Sequence, residues 1–156
     1  MASDGWNYVL RVQTITNGAG GAGDQTWPVL TTADSEVEIF QMDVTNGDTV
    51  ARNVSAVVDD ATTTIATLLA ASSLNAAAIT RWPYVGGAFA AAGNNPEAAA
   101  PLHLGNGARV LWTIASVAAS QDTTFAIRFR FRGQQPTIIP TGASTPATGT
   151  ETIVRW

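Results

Sequence analysis

Apolar and polar residues alternate with a period of two over several short stretches of this chain, and turn residues break the alternation at short intervals. The clearest stretch is Thr123–Gly133. Phe125, Ile127, Phe129 and Phe131 share one side, and Ala126, Arg128, Arg130 and Arg132 share the other. Successive side chains of a strand point to opposite faces, so the pattern predicts a strand with one buried face. Each of the four large apolar groups would contribute roughly 1.5–3 kcal/mol on full burial. A slip of one residue would carry the arginine side into the core, which fixes the register.

Glu36–Asn46 reads as a second strand, polar at its start and apolar later on both sides. Asn46-Gly47-Asp48 then predicts a hairpin turn, because Asn-Gly tolerates the positive φ of tight turns. The expected return strand is Thr49–Val58, with Val50, Val54, Ala56 and Val58 in phase and Arg52 breaking the row. Leu102–Val117 reads as another hairpin-like unit around Gly105-Asn106-Gly107, with Val110, Trp112 and Ile114 in phase. Trp6–Thr16, Trp27–Thr31, Thr137–Ile139 and Thr152–Trp156 complete the strand candidates.

Thr62–Ala92 is ambiguous. Its alanine content favours helix, and Ile65, Leu68, Leu69 and Ser72 trace a helical stripe. The Thr62-Thr63-Thr64 run and the lack of charge on a would-be solvent face favour two strands, Thr63–Leu69 and Leu74–Trp82. Pro83–Ala100 is then a long loop and a candidate contact surface, and Pro140–Gly149 an extended linker or arm. Short strands between frequent turns predict a single all-β domain over residues 1–156, an antiparallel sandwich or barrel.

Composition adds to this. A domain of 156 residues buries enough surface to need no staple, and with no cysteine it has no disulfide, thiolate catalysis or zinc–thiolate site. No stretch approaches the ~18 apolar residues of a membrane helix, and the start of the chain shows no secretory signal. Charged residues make up 13% of the chain, against about 25% in average domains. All eight basic residues are arginine. Lysine is depleted from protein interfaces and arginine enriched, so a sparsely charged surface without lysine predicts protein contacts. Drift in an arginine-favouring genome would leave the same trace. The net charge of −4 gives no support for nucleic-acid binding.

Motifs for chemistry are weak. Gly18-Ala19-Gly20-Gly21-Ala22-Gly23 has the letters of a dinucleotide loop, but Asp24-Gln25-Thr26-Trp27-Pro28 cannot open the helix such a loop requires. His103 is the single histidine, with no serine elbow or metal-ligand spacing around it. Asp59-Asp60 and Glu36/Glu38 are the only carboxylate pairs that suggest a glycosidase, and their turn and strand-end positions argue against it. No cofactor or metal is expected. Arg128, Arg130 and Arg132 allow two readings: a grip for carboxylates or phosphates, or cross-strand pairing with Glu36, Glu38 or Asp43. Among five tryptophans, Trp112 reads as core, whereas Trp6 and Trp156 read as interface anchors.

The succession VEIFQMDVTNGDTVARNVSAVV at Val37–Val58, PLHLGNGARVLWTIAS at Pro101–Ser116 and TTFAIRFRFRG at Thr123–Gly133 resembles small β-sandwich proteins of tailed bacteriophages. Among these are capsid decoration (cement) proteins. The resemblance covers about residues 36–133 and rests on strand-and-turn rhythm. It implies a jelly-roll-like sandwich, often trimeric, that is made in the host cytoplasm and sits on the outer capsid. It also implies the major capsid protein and further copies of the chain as partners, without nucleic acid, membrane or catalysis. Residues 1–34 and 134–156 lie outside it and could form arms. The contact candidates are Trp6, Arg11, Trp82, Tyr84, Phe89, Arg128, Arg130, Arg132, Arg155 and Trp156. A tail or fibre accessory, or a carbohydrate-binding sandwich with coplanar tryptophans, is the competing expectation.

Overall fold

A computed structural model describes residues 5–18, 20–31, 34–83, 101–105 and 107–141, and the backbone of 148–155. Eleven strands appear among them: β1 (Asn7–Thr16), β2 (Gly23–Leu30), β3 (Glu36–Asn46), β4 (Arg52–Asp59), β5 (Thr64–Leu74), β6 (Ile79–Trp82), β7 (Leu102–Leu104), β8 (Arg109–Val117), β9 (Asp122–Arg132), β10 (Thr137–Ile138) and β11 (Thr148–Arg155). They form two antiparallel sheets. Sheet A runs β11-β1-β9-β3, with β6 and β7 sharing the free flank of β3. Sheet B runs β10-β2-β8-β4-β5. The all-β sandwich expected from the alternation is therefore the fold.

The pairings are nested. β4 pairs with β5, β3 with β6 and β7, β2 with β8, and β1 with β9. β3–β9 and β4–β8 then close each sheet. This is a long antiparallel hairpin rolled up, with β1 to β4 alternating between the two sheets and β4–β5 as the hairpin within one of them.

Two sequence expectations are corrected by this arrangement. Asn46-Gly47-Asp48 does not join a hairpin: β3 lies in sheet A and β4 in sheet B, so the segment is a crossover between layers. Leu102–Val117 is likewise split between β7 in sheet A and β8 in sheet B. Turn residues mark a change of direction equally well in either case, so composition could not distinguish them. The helical alternative for residues 62–82 is replaced by β5 and β6. The apparent helical stripe arises because three bulges in β5 against β4 interrupt its alternation, leaving Leu68 and Leu69 both buried. The flanks 1–34 and 134–156, expected as possible arms with edge strands, supply β1, β2, β10 and β11.

The core lies between the sheets. Trp27 of β2, Trp112 of β8 and Phe125 of β9 are fully buried, with Phe125 stacked on Trp27 at 5.7 Å and tilted on Trp112 at 6.4 Å between centroids. The Trp112 indole N–H donates to Met42 Sδ at 3.1 Å. Phe129, Ile127, Val110, Ile114, Val54 and Ile39 extend the same layer. Ala77 has a positive φ of 57° in the β5–β6 turn, where Ala78 N–H donates to Asn75 C=O. Glycine adopts this region at no steric cost. Ala77→Gly should therefore stabilise by about 0.5 kcal/mol, a rise of about 1–2 °C in melting temperature by circular dichroism.

Candidate functional site: two unlike sheet faces

The outer face of sheet A is built from cross-strand rows that the register fixes. Trp6 sits opposite Arg132 and Glu36, one residue before the β1–β9 ladder begins. Next come Tyr8, Arg130, Glu38 and His103, then Leu10, Arg128 and Gln41, then Val12, Ala126, Asp43 and Arg81.

Arg130 is consumed by its row. Its Nε donates to Glu38 Oε2 at 2.6 Å and another guanidinium nitrogen donates to the Tyr8 hydroxyl at 3.1 Å. It also lies 4.3 Å from the Trp6 ring centroid and 5.6 Å from that of Phe40. The bonds to Tyr8 and Glu38 push its pKa further up, against the opposing effect of burial. Arg132 stands 4.3 Å from the same Trp6 ring and 3.9 Å from Glu36. The positive φ of Gly5 (78°) turns the chain immediately before Trp6. For Arg130 and Arg132 the cross-strand reading of the arginine row is the one realised.

Arg128 is different. A bulge between Ile39 and Gln41 shifts β3 so that Arg128 faces Gln41 instead of Phe40, and no carboxylate stands opposite it. Asp43 is already held by Arg81, at 2.8 and 3.3 Å, and by Gln41 at 2.8 Å. That bond raises the Arg81 pKa. Arg128 is exposed, and its guanidinium makes no hydrogen bond or ion pair among the described residues. It borders a 230 Å³ cleft with Leu10, Gln41, Asp43, Arg81 and Ala126.

The outer face of sheet B carries almost no charge. One row is hydroxyl-bearing: Thr26, Thr113 and Ser55. The next is apolar: Pro28, Leu111 and Val57, ending on Thr67. The third holds Leu30 with Arg109 and Asp59. These two form a bidentate pair at 2.8 and 2.9 Å, and Arg109 is the main cause of a lowered Asp59 pKa. Asp24 stands at the far end, bound to the Ser116 N–H.

The remaining sequence candidates are distributed differently. Trp82 is buried (4% exposed) and belongs to the core, not to a surface. Arg11 points between the sheets, donating to Ile138 C=O of β10 at 2.9 Å. Its position in phase with Val9 and Ile15 on the inner face explains why. Arg155 lies at the end of β11, in register with Val9. Tyr84, Phe89 and Trp156 lie outside the described residues. Trp27, Trp82 and Trp112 are buried and Trp6 is covered by two guanidinium groups, so these four form no open aromatic platform. Glu36 and Glu38 are each engaged by an arginine, and the last glycine of the Gly18–Gly23 segment opens strand β2. Among the described residues no group of three or more His, Asp or Glu gathers to hold a metal ion. The uncharged face of sheet B escaped the sequence reading. Its only signal was the missing charge at alternate positions of three strands whose adjacency was unknown.

No family model, curated protein or solved structure matches the chain.

Proposed function

We propose that this chain is a virion structural protein, a capsid decoration (cement) protein of a tailed bacteriophage that binds the outer capsid surface and stabilises capsomer contacts. It acts without catalysis or cofactor, with the major capsid protein and further copies of itself as partners. One observation carries the reading: the antiparallel sandwich pairs its strands in a nested order, from β4–β5 outward to β1–β9, which supports a jelly-roll-like reading, an architecture found in viral capsid and lectin domains. The lectin branch is disfavoured by the burial of Trp27, Trp82 and Trp112. The capsid branch is supported by an arginine-only, sparsely charged surface.

Arg128 is the assigned capsid contact on sheet A, since an unpaired guanidinium suits a partner carboxylate. Tyr84, Phe89, Arg155 and Trp156 stay as further contact candidates. The test is sedimentation of the purified protein with undecorated heads of the phage that encodes it. Retention on the heads is expected, with Arg128→Ala weakening it about tenfold, the equivalent of ~1.4 kcal/mol. Recovery of the protein wholly in the supernatant at micromolar concentration overturns the proposal.

A further inference from the structure

A β-bulge re-aims side chains, and bulges are over-represented beside binding sites. The one in β3 lies on sheet A, where Phe40 and Gln41 are consecutive and both half-buried. Phe40 goes to the Arg130 guanidinium, and Gln41 takes the place opposite Arg128. One row further on, Ala126 stands between Val12 and Asp43 with only a methyl group to fill the space. The result is the 230 Å³ cleft, in which Leu10 and Ala126 are the apolar part and Arg128, Gln41 and the Asp43–Arg81 pair the polar part. Asp43 is buried and already accepts two bonds from Arg81 and one from Gln41. Arg81 thereby spends two of its five N–H groups, and Arg128 spends none among the described residues.

We infer that this cleft is a socket for one carboxylate on a short apolar stem, and that its occupant is an aspartate or glutamate side chain of the protein partner. Charge selects a monoanion. Two guanidinium groups against the one carboxylate of Asp43 leave the cleft a single positive charge in excess, which a carboxylate neutralises. A phosphate dianion would overshoot, and its second charge would be desolvated beside Asp43 with no cation of its own.

Shape and size narrow the occupant further. The planar fork of Arg128 matches the two oxygens of a carboxylate, and Leu10 with Ala126 offers apolar contact to the methylene groups behind it. Pockets for free small molecules run to about 300–1,000 Å³ and enclose most of their ligand. This cleft is smaller, and the Arg81 side chain at its rim is 53% exposed, so it suits a side chain whose own protein covers the rest.

The socket rests on the capsid reading for the identity of the partner, but its chemistry is tested without heads. Propionate, a carboxylate on a two-carbon stem, is titrated into the full chain at constant ionic strength, and the Nε–Hε resonances of Arg81 and Arg128 are followed by NMR. A saturable shift is expected, half complete at about 10 mM, which is within reach of so small a ligand. Ala126→Leu fills the cleft while keeping every charge, and should weaken binding at least tenfold with the amide spectrum still dispersed. Should that variant misfold, Ala126→Val makes the same test with a smaller side chain. Arg128→Gln should remove saturation at Arg81, and Arg132→Gln, two rows away, should leave the titration unchanged. A shift still linear at about 100 mM, a titration indifferent to the substitutions at Ala126, or inorganic phosphate binding as tightly as propionate overturns the inference. Saturable binding by a protein that does not sediment with heads upholds the socket and overturns the capsid reading. Retention on heads that survives Ala126→Leu, with no saturable shift, does the reverse.

Discussion

Asp48→Asn should lower the melting temperature by about 10 °C and flatten the acid limb of the stability profile. Asp48 is buried in the crossover from β3 to β4, and its carboxylate accepts from five donors, one of them the Thr49 hydroxyl at 3.4 Å. The other four are Thr49 N–H at 2.6 Å, Val50 N–H at 3.3 Å, Arg52 Nε at 2.7 Å and Ala118 N–H at 2.8 Å. Ala118 lies in the crossover from β8 to β9, so one side chain ties together two places where the chain changes sheet. Asn46 reinforces the same corner, donating to Val50 C=O and Leu74 C=O and accepting from Asp48 N–H. Losing the charge leaves Arg52 without its partner, and breaking such a pair costs about 3–5 kcal/mol when fully buried. Arg52 keeps some access to water (18% side-chain exposure), so about 3 kcal/mol is the better figure, or roughly 10 °C at this size.

The pH dependence has a definite sign. Burial by itself raises the Asp48 pKa, but the bonds from Ala118, Arg52 and Thr49 together bring it down to about 2, from an ordinary 3.8. Asp59 is also lowered, chiefly by Arg109. A carboxyl group whose folded pKa is depressed contributes its full stability above the ordinary value and loses it as pH falls through the folded one. Melting temperature should therefore be flat above pH 5 and fall between pH 4 and 2. In Asp48→Asn that fall should be shallower, as read by thermal melts across the series. An acid limb equal in both proteins would show that Asp48 carries none of it.

Gly133→Ala is the second large effect, with an expected loss of about 3 kcal/mol. Gly133 follows β9 with φ at 80°, and a Cβ there would stand 2.4 Å from the backbone oxygen of Asp34. The left-handed conformation alone costs alanine about 1 kcal/mol, and displacing backbone adds about 1–3 kcal/mol. The neighbourhood cannot easily yield, since Ser35 Oγ donates to Gln134 C=O and accepts from Gln134 N–H, both at 3.0 Å. Gly107→Ala is the control. Its φ is 78°, but nothing lies within 4 Å of the added carbon, so it should lose only about 1 kcal/mol. Chemical denaturation of both variants checks the difference; equal losses would assign the whole effect to φ.

Much of the sandwich was legible because its strands are half-buried. The alternation over Thr123–Gly133 predicts β9 to within a residue at each end, and it puts Phe125, Ile127 and Phe129 in the core with Arg128 outside. Glu36–Asn46 is β3 without change. Periodicity says which side of a strand is buried, not which strand lies beside it. Hence Glu38 opposite Arg130 could be offered as one option, while Gln41 opposite Arg128 could not be foreseen, since a single bulged residue decides it. The same limit hid the even face of sheet B, which exists only once β2, β8 and β4 stand side by side. Trp82, a contact candidate by sequence, is core, because its pairing with Met42 turns it inward.

The nested pairing also sets an order in time. β4 and β5 are joined by only a few residues and can meet early, whereas β2 must find β8, and β1 must find β9, more than a hundred positions away in the β1–β9 case. Loop closure makes distant contacts entropically dear until nearer ones have shortened the path. Folding should therefore proceed from the middle of the chain outward, on the slow scale of topologies dominated by non-local contacts. During synthesis the first strand emerges long before its partner exists. For that interval β1 has both edges unpaired, and its vacant ladders close only when the last quarter of the chain is made.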